Sequence, residues 1–436
     1  MREEEILNIL SYWNFWTSDL DCGIERVDYV RRAEDLLGDV NIVAEVGVRR
    51  SGKSYLARQL LSRLIKKGLN KNATLIIDLN DERFQRDQNL LTDIYNTYRK
   101  NICPEDKAVI VIDEPQEIEG WERFVRGVSE RGDARFVVTG SSSRLLSSEF
   151  STLLSGRHVS FQVFPLSFRE YLKFKHVEVA SKLSIGRNLL QIFKALDEYI
   201  VFGGFPAVAF AMNKIELLNS YVDTILVKDV TFRYKIRESE KLRTIAKFYL
   251  TNIGHSITYN SISRFTRIPV KTVERYSNYI ESAFLLFFVK RFSFSLKEQE
   301  NSPRKVYSID SGLAVASGFN STIGRGSLIE NAVAQELKRR GMEFYYWKDT
   351  VTGKEVDFIV RTGNKFELIQ VTDTVDNHHT LEREVGALKT AGKRMEYGKL
   401  QMIVYSKPKE ETLKYLNDNE ITVKQLWQWL LEDGDK

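Results

Sequence analysis

The 436-residue chain is 43% hydrophobic and 28% charged, with a net charge of +5. That is an ordinary globular balance on a chain too long for a single hydrophobic core, so two to four domains are expected. Seven prolines and the lack of a low-complexity tract exclude a long disordered linker, and the longest apolar run, Ala283 to Val289, is far short of the ~20 residues of a membrane span. Cys22 and Cys103 have neither metal-ligand nor disulfide-framework spacing, and the acidic start Met1-Arg2-Glu3-Glu4-Glu5 lacks a signal-peptide core, so a cytoplasmic protein without a membrane partner is expected.

Residues 6 to 20, with Ile6, Ile9, Leu10, Trp13 and Trp16, read as an apolar helix packed on the core. Arg26 precedes a helical segment, Val27 to Leu37; it suits either contact with a nucleotide base or a solvated charge. Asn41 to Val46 is a short apolar run, the pattern of a buried parallel strand. It ends at Gly47-Val48-Arg49-Arg50-Ser51-Gly52-Lys53-Ser54, which fits G-x-x-x-x-G-K-[ST] at every position. Leu56, Leu60, Leu64 and Ile65 then recur at helical spacing until Gly68. Strand, loop and helix in this order make a phosphate-binding loop for ATP, with Gly47 to Ser54 and Tyr55 as the binding stretch. Lys53 is placed to reach the β- and γ-phosphates, and the Ser54 hydroxyl to ligate Mg²⁺.

Thr74 to Leu79 reads as a second strand and Ala108 to Ile112 as a third, ending in Asp113-Glu114. A carboxylate at the C-terminal end of a parallel strand lies in the ligand crevice. Asp113 suits Mg²⁺, held through water, and Glu114 suits polarising the water that attacks the γ-phosphate. A fourth strand, Arg135 to Gly140, ends at Ser141, which reads equally as a sensor of the γ-phosphate and as a turn or cap residue. Val159 to Phe164 supplies a fifth strand. Arg157, just before it, has two readings, an arginine finger acting on a neighbouring subunit's nucleotide or an intramolecular ion pair.

Four blocks, Gly47 to Ser54, Ile112-Asp113-Glu114-Pro115-Gln116 with Trp121-Glu122, Thr139 to Ser143, and Phe164 to Tyr171, together resemble one family. It is the uncharacterised AAA+-type ATPases of archaea and bacteria that carry a C-terminal domain of unknown function. The resemblance covers nearly the whole chain and implies ATP binding, without naming a job. It extends to the block Gly203-Gly204-Phe205-Pro206, where Pro206 is a candidate to approach the nucleotide base. A tight interhelical turn explains the same residues.

From Tyr171 to about Lys247 the apolar spacing is helical, as a lid requires. Residues 261 to 281 have a helix-turn-helix pattern, with wing strands expected over Ala283 to Arg291 and Phe292 to Leu296. Between Ser261 and Lys297 stand seven basic residues against two acids, Glu274 and Glu281, an excess equal to the +5 of the whole chain. Lys271 and Arg275 lie one helical turn apart, so double-stranded DNA is a candidate partner; packing alone is the other use of such a module. After Leu328 to Arg340, a helix carrying Glu330, three strands are expected: Phe344 to Trp347, Glu355 to Arg361 and Phe366 to Thr372. This resembles the PD-(D/E)xK nuclease core with Glu330, Asp357, Gln370 and Thr372 at the motif positions. Gln370 and Thr372 stand where active nucleases have an acid and a lysine, so the domain is expected to be degenerate.

The expected fold is thus α/β: a parallel-sheet P-loop ATPase core (1–170), a helical lid (171–247), a winged-helix domain (248–300) and a PD-(D/E)xK nuclease-like domain (301–436). The expected function is an oligomeric, Mg²⁺-dependent, DNA-associated ATPase that moves its C-terminal domains with nucleotide state. The alternative is a signalling switch that binds protein partners and never meets DNA.

Overall fold

The apolar runs in the first third of the chain form one parallel sheet in the structure, a computed structural model that describes residues 1–146, 158–318 and 323–432. Among the described residues, five strands build it: β1 (Ile42–Val46), β2 (Thr74–Asp78), β3 (Ala108–Asp113), β4 (Ala134–Gly140) and β5 (His158–Gln162). Their order is β2-β3-β4-β1-β5 and every pairing is parallel. β1 and β3 are buried along their whole length, which is why they read as continuous hydrophobic runs without alternation. Val30, Ala33 and Leu37 of the helix α2 (Val27–Asp39) and Leu56 and Leu60 of α3 (Lys53–Lys66) pack on Val43, Val109 and Val137 of the sheet. β5 starts and ends earlier than its apolar run suggests, although the Val163 N–H still donates to Val46 O at 2.6 Å.

The N-terminal helix spans Glu3–Trp13, shorter than the apolar stretch implied, because the residues after it leave the helix to serve the sheet. Asn14 is fully buried and bonds both backbone groups of Ile76, accepting from its N–H at 2.6 Å and donating to its O at 3.0 Å. Trp16 Nε1 donates to Thr74 O at 2.7 Å. Both partners lie on β2, the edge strand, so this segment satisfies an edge that would otherwise present unpaired backbone groups.

The chain divides into two units, Met1–Val163 and Phe164–Lys436. The second begins with helices between Phe168 and Thr251, interrupted by a π-helical turn at Ile225–Phe232. There follow β6 (Ser256–Ile257), the helices Tyr259–Thr266 and Val270–Ser282, β7 (Leu286–Val289) and β8 (Arg304–Ser308). These three strands form an antiparallel sheet ordered β6-β8-β7. Residues 292 to 296 are not the second wing strand. Phe292 is buried among Tyr345 and Phe366, its N–H donates to Tyr346 O, and Ser295 caps the helix Leu296–Asn301. β8 takes the place beside β7.

After the helix Arg325–Arg339 come β9 (Phe344–Lys348), β10 (Glu355–Thr362) and β11 (Lys365–Thr372), then the helix His378–Gly392, β12 (Tyr397–Val404) and β13 (Ile421–Gln425). The sheet order is β13-β12-β11-β10-β9, antiparallel from β9 to β11 and parallel from β11 to β13. Among the described residues no helix is long and apolar enough to cross a membrane.

Candidate functional site

The loop between β1 and α3 has the shape its glycines require. A Cβ on Gly47 would stand 2.1 Å from Val163 O, and Gly52 has φ +97°, so both positions demand glycine. Arg50 also takes a left-handed φ of +71°. Lys53 is 6% exposed and its ammonium donates to Gly47 O at 2.9 Å and Val48 O at 3.1 Å. The Ser54 hydroxyl donates to Asp113 Oδ2 at 2.5 Å, joining the start of α3 to the end of β3 at the C-terminal edge of the sheet. A hydroxyl and a carboxylate side by side, next to a loop of backbone N–H groups at a helix N-terminus, fit a hard cation with a phosphate beside it. Ser54 and Asp113 would hold Mg²⁺, and Gly47 to Ser54 would hold the phosphates.

The rest of the cluster orients the two acids. Thr139 of β4 donates its hydroxyl to Asp113 Oδ1. Burial, followed by the neighbouring Asp78 carboxylate, pushes the Asp113 carboxyl above its ordinary range, an environment in which a bound cation gains from offsetting the charge. Glu114 sits at φ +55°, a left-handed conformation rarely adopted by a residue with a side chain. Its carboxylate accepts from Ser141 Oγ at 3.1 Å, from Ser141 N–H at 3.3 Å and from the Gln116 amide. The structure therefore brings Lys53, Ser54, Asp113, Glu114 and Ser141 to one edge of the sheet, with Ser141 bonded to the acid expected to polarise water.

Four participants were not legible as such. Arg26 is 3% exposed and not a solvated charge; its guanidinium donates to Ser51 O at 2.9 Å and lies over the Tyr29 ring, bracing the loop from behind. Gln116 and Thr139 hold the two acids from positions that the motif pattern does not specify. Glu45 on β1 is fully buried and its carboxyl oxygens have no hydrogen-bond partner among the described residues. Burial and the Asp113 carboxylate push it up to about 8, against the opposing pull of Lys53 and Arg26. Its only sequence signal was an acid inside an otherwise apolar strand. Tyr55 is 44% exposed, with its ring against Gly23 and Arg58. Arg157 lies outside the described residues.

Pro206 opens the short helix Pro206–Phe210 in the second unit. The glycines before it seat Asp310: Gly204 N–H donates to Asp310 Oδ2 at 2.7 Å, and a Cβ on Gly203 would stand 1.7 Å from Oδ1. Lys271 and Arg275 lie on the exposed face of the helix Val270–Ser282, and Arg264 and Arg267 are exposed just before it. Two of the seven basic residues are neutralised locally, Lys290 by Glu300 at 2.5 Å and Arg291 by Glu298 at 3.6 Å.

The residues at the nuclease-motif positions also meet. Asp357 on β10 and Glu330 on the helix Arg325–Arg339 both contact the ammonium of Lys305, from β8, as does Glu355. Gln370 accepts from Asp357 N–H at 3.3 Å and donates to Glu384 at 2.5 Å. The Thr372 hydroxyl turns away to Thr374 O. Lys305, Glu355 and Glu384 escaped the motif because they lie outside its spacing.

A five-stranded parallel sheet ordered β2-β3-β4-β1-β5, with a glycine-built loop after β1 and Ser54 against Asp113, is the fold of an AAA-type P-loop ATPase. A family model described as an AAA domain matches residues 39–172, and models of two domains of unknown function, DUF8612 and DUF4143, match residues 193–322 and 325–426. The chain is 32% identical over 402 residues to the uncharacterized protein MJ1544 of Methanocaldococcus jannaschii, covering 88% of this chain and 87% of that one, and it belongs to the same family. An uncharacterized protein of Haemophilus influenzae is 29% identical over 364 residues, 82% of this chain and 88% of its own. Among solved structures, the Walker-type ATPase PABY2304 of Pyrococcus abyssi is 14% identical, with a TM-score of 0.44 over 67% of this chain and 95% of its own.

Proposed function

We propose that this protein binds and hydrolyses ATP with Mg²⁺, and that its second unit presents a winged helix to duplex DNA. The observation that carries the ATPase reading is the 2.5 Å contact between Ser54 and Asp113 beside the Lys53 loop. Ser54 and Asp113 would hold Mg²⁺, which would supply positive charge to offset that of the phosphates. Lys53 exchanges its two carbonyl acceptors for β- and γ-phosphate oxygens, and the loop N–H groups orient them. Glu114 polarises the attacking water, and Ser141 and Gln116 set the direction its carboxylate faces.

The DNA reading is supported by element order and charge. The helix Ser239–Thr251, β6, two helices, β7 and β8, with the sheet ordered β6-β8-β7, follow a winged-helix plan. Arg264, Arg267, Lys271 and Arg275 are exposed around its second and third helices, the place from which such modules reach the major groove. The helix Arg325–Arg339, the antiparallel β9 to β11, the helix His378–Gly392 and the parallel β12 follow a nuclease-like plan. Protein binding without DNA is the second reading, favoured by Phe265, which is 72% exposed among those same basic residues.

ATP turnover measured with and without single- and double-stranded DNA tests the proposal. Stimulation by duplex, with DNA affinity falling as salt rises, is the expected result. No binding at low salt, or binding indifferent to salt, leaves the protein-partner reading in its place.

A further inference from the structure

The nuclease-like plan implies a divalent cation held between Glu330 and Asp357, and the residues present do not fit one. We infer that the ammonium of Lys305 is the resident cation of this cradle, standing where a metal would sit and joining β8 to the elements around it.

Lys305 is 1% exposed, and its Nζ lies 2.9 Å from Glu330 Oε1, 2.7 Å from Glu355 Oε1 and 3.2 Å from Asp357 Oδ1. An ammonium has three hydrogens and no acceptor, so all of its donor capacity is used by three carboxylates. These come from different places in the chain: Glu330 from a helix, and Glu355 and Asp357 from the start of β10. The other oxygens of Asp357 and Glu355 are also engaged, and Glu330 Oε1 takes a second donor. Asp357 Oδ2 accepts from Val371 N–H at 3.0 Å, Glu355 Oε2 from Lys348 at 3.0 Å, and Glu330 Oε1 additionally from the Tyr307 hydroxyl at 2.6 Å. Lys305 and Tyr307 point the same way because they are two apart on a strand.

A carboxylate trio with Asp357 buried and Glu330 and Glu355 largely covered is costly without a counter-charge, and a divalent cation or a lysine can each supply that charge. Both cannot occupy one centre, since the two cations repel at contact distance. Gln370, which stands where an acidic ligand would add charge, instead hydrogen-bonds Asp357 N–H and Glu384. Among the described residues no group of three or more His, Cys, Asp or Glu is disposed to hold a metal. The degenerate motif and the buried lysine thus compensate each other. Because β8 belongs to the three-stranded sheet and its partners to the helix and sheet beyond, the same contact locks these two modules of the second unit together. The identity of the displaced group rests on the nuclease-like reading, whereas the contacts of Lys305 do not.

The test is Mn²⁺ binding to the nucleotide-free full chain, measured calorimetrically on the wild type, Lys305→Ala and Asp357→Asn. Wild type and Asp357→Asn should give the same weak background, and Lys305→Ala should gain a site roughly tenfold tighter or better, lost again on adding Asp357→Asn. Should Lys305→Ala fail to fold, Lys305→Gln keeps hydrogen-bond donors, loses the charge and carries the same test. Two results overturn the inference: wild-type Mn²⁺ binding that Asp357→Asn abolishes, or a folded charge-removing variant that gains none. Mn²⁺-dependent DNA cleavage by the wild type, assayed in parallel, separately contradicts the reading of a degenerate nuclease core.

Discussion

Two buried lysines, Lys53 and Lys305, sit beside acids in different units and do opposite things. Lys53 bonds two loop carbonyls and stands next to, not upon, the Ser54–Asp113 pair. Lys305 bonds three carboxylates directly. A carbonyl is a neutral partner that a lysine can leave for a phosphate at modest cost, whereas leaving three carboxylates strands buried charge. Position relative to the acids, rather than residue type, thus separates a site prepared for a ligand from one already filled.

That contrast can be broken most forcibly at Lys53. Lys53→Ala should lower ATP turnover by roughly a hundredfold or more, read by phosphate release, because its ammonium is the group placed to meet the charge that develops on the β- and γ-phosphate oxygens. At the other lysine the effect should be on stability. Lys305→Ala should destabilise the chain by about 3–5 kcal/mol in chemical unfolding, the cost of removing one partner from a buried ionic cluster, while ATP affinity stays unchanged. If turnover falls with stability unaltered, Lys305 belongs to a different account.

Glu45 sharpens the comparison, since it is an acid buried near Lys53 without being bonded to it. Its folded carboxyl titrates at about 8 against an ordinary 4.5, so the folded state holds the proton that the unfolded state releases between these values. The resulting penalty is absent below about pH 4.5, grows as pH rises, and is complete above about 8. Glu45→Gln should remove that slope, raising stability at pH 7 by roughly 1–3 kcal/mol in urea unfolding followed across pH. Asp113, Lys53 and Arg26 are the charged groups that set this balance. The smallest expected effect is on DNA. Lys271→Ala and Arg275→Ala should each reduce the log-log salt slope of duplex binding by about 1 and weaken binding similarly across sequences.

The ATPase core was legible because its signals are local. Gly47 to Ser54 lies between a buried strand and an amphipathic helix, and Asp113 closes an apolar run, so motif and context agree within a few residues. The contacts that hold the site were less so. Arg26 looks like a surface charge until the Ser51 carbonyl and Tyr29 ring are seen beside it. The partner of β7 was misplaced because Phe292 is claimed by Tyr345 and Phe366, a tertiary demand that strand propensity does not register. Lys305 is 25 positions from Glu330 and 52 from Asp357, and no spacing rule connects them. Gly204 and Asp310, 106 apart, pose the same difficulty.

The most direct test of ATP hydrolysis at the Ser54–Asp113 edge is a paired measurement of ATP binding and phosphate release on Glu114→Gln. The expected result is ATP binding close to wild type with turnover reduced by roughly two orders of magnitude, since the amide keeps the shape and loses the base. Turnover at the wild-type rate in Glu114→Gln would contradict the assignment, because the residue that Ser141 and Gln116 hold would then not be the one that activates water.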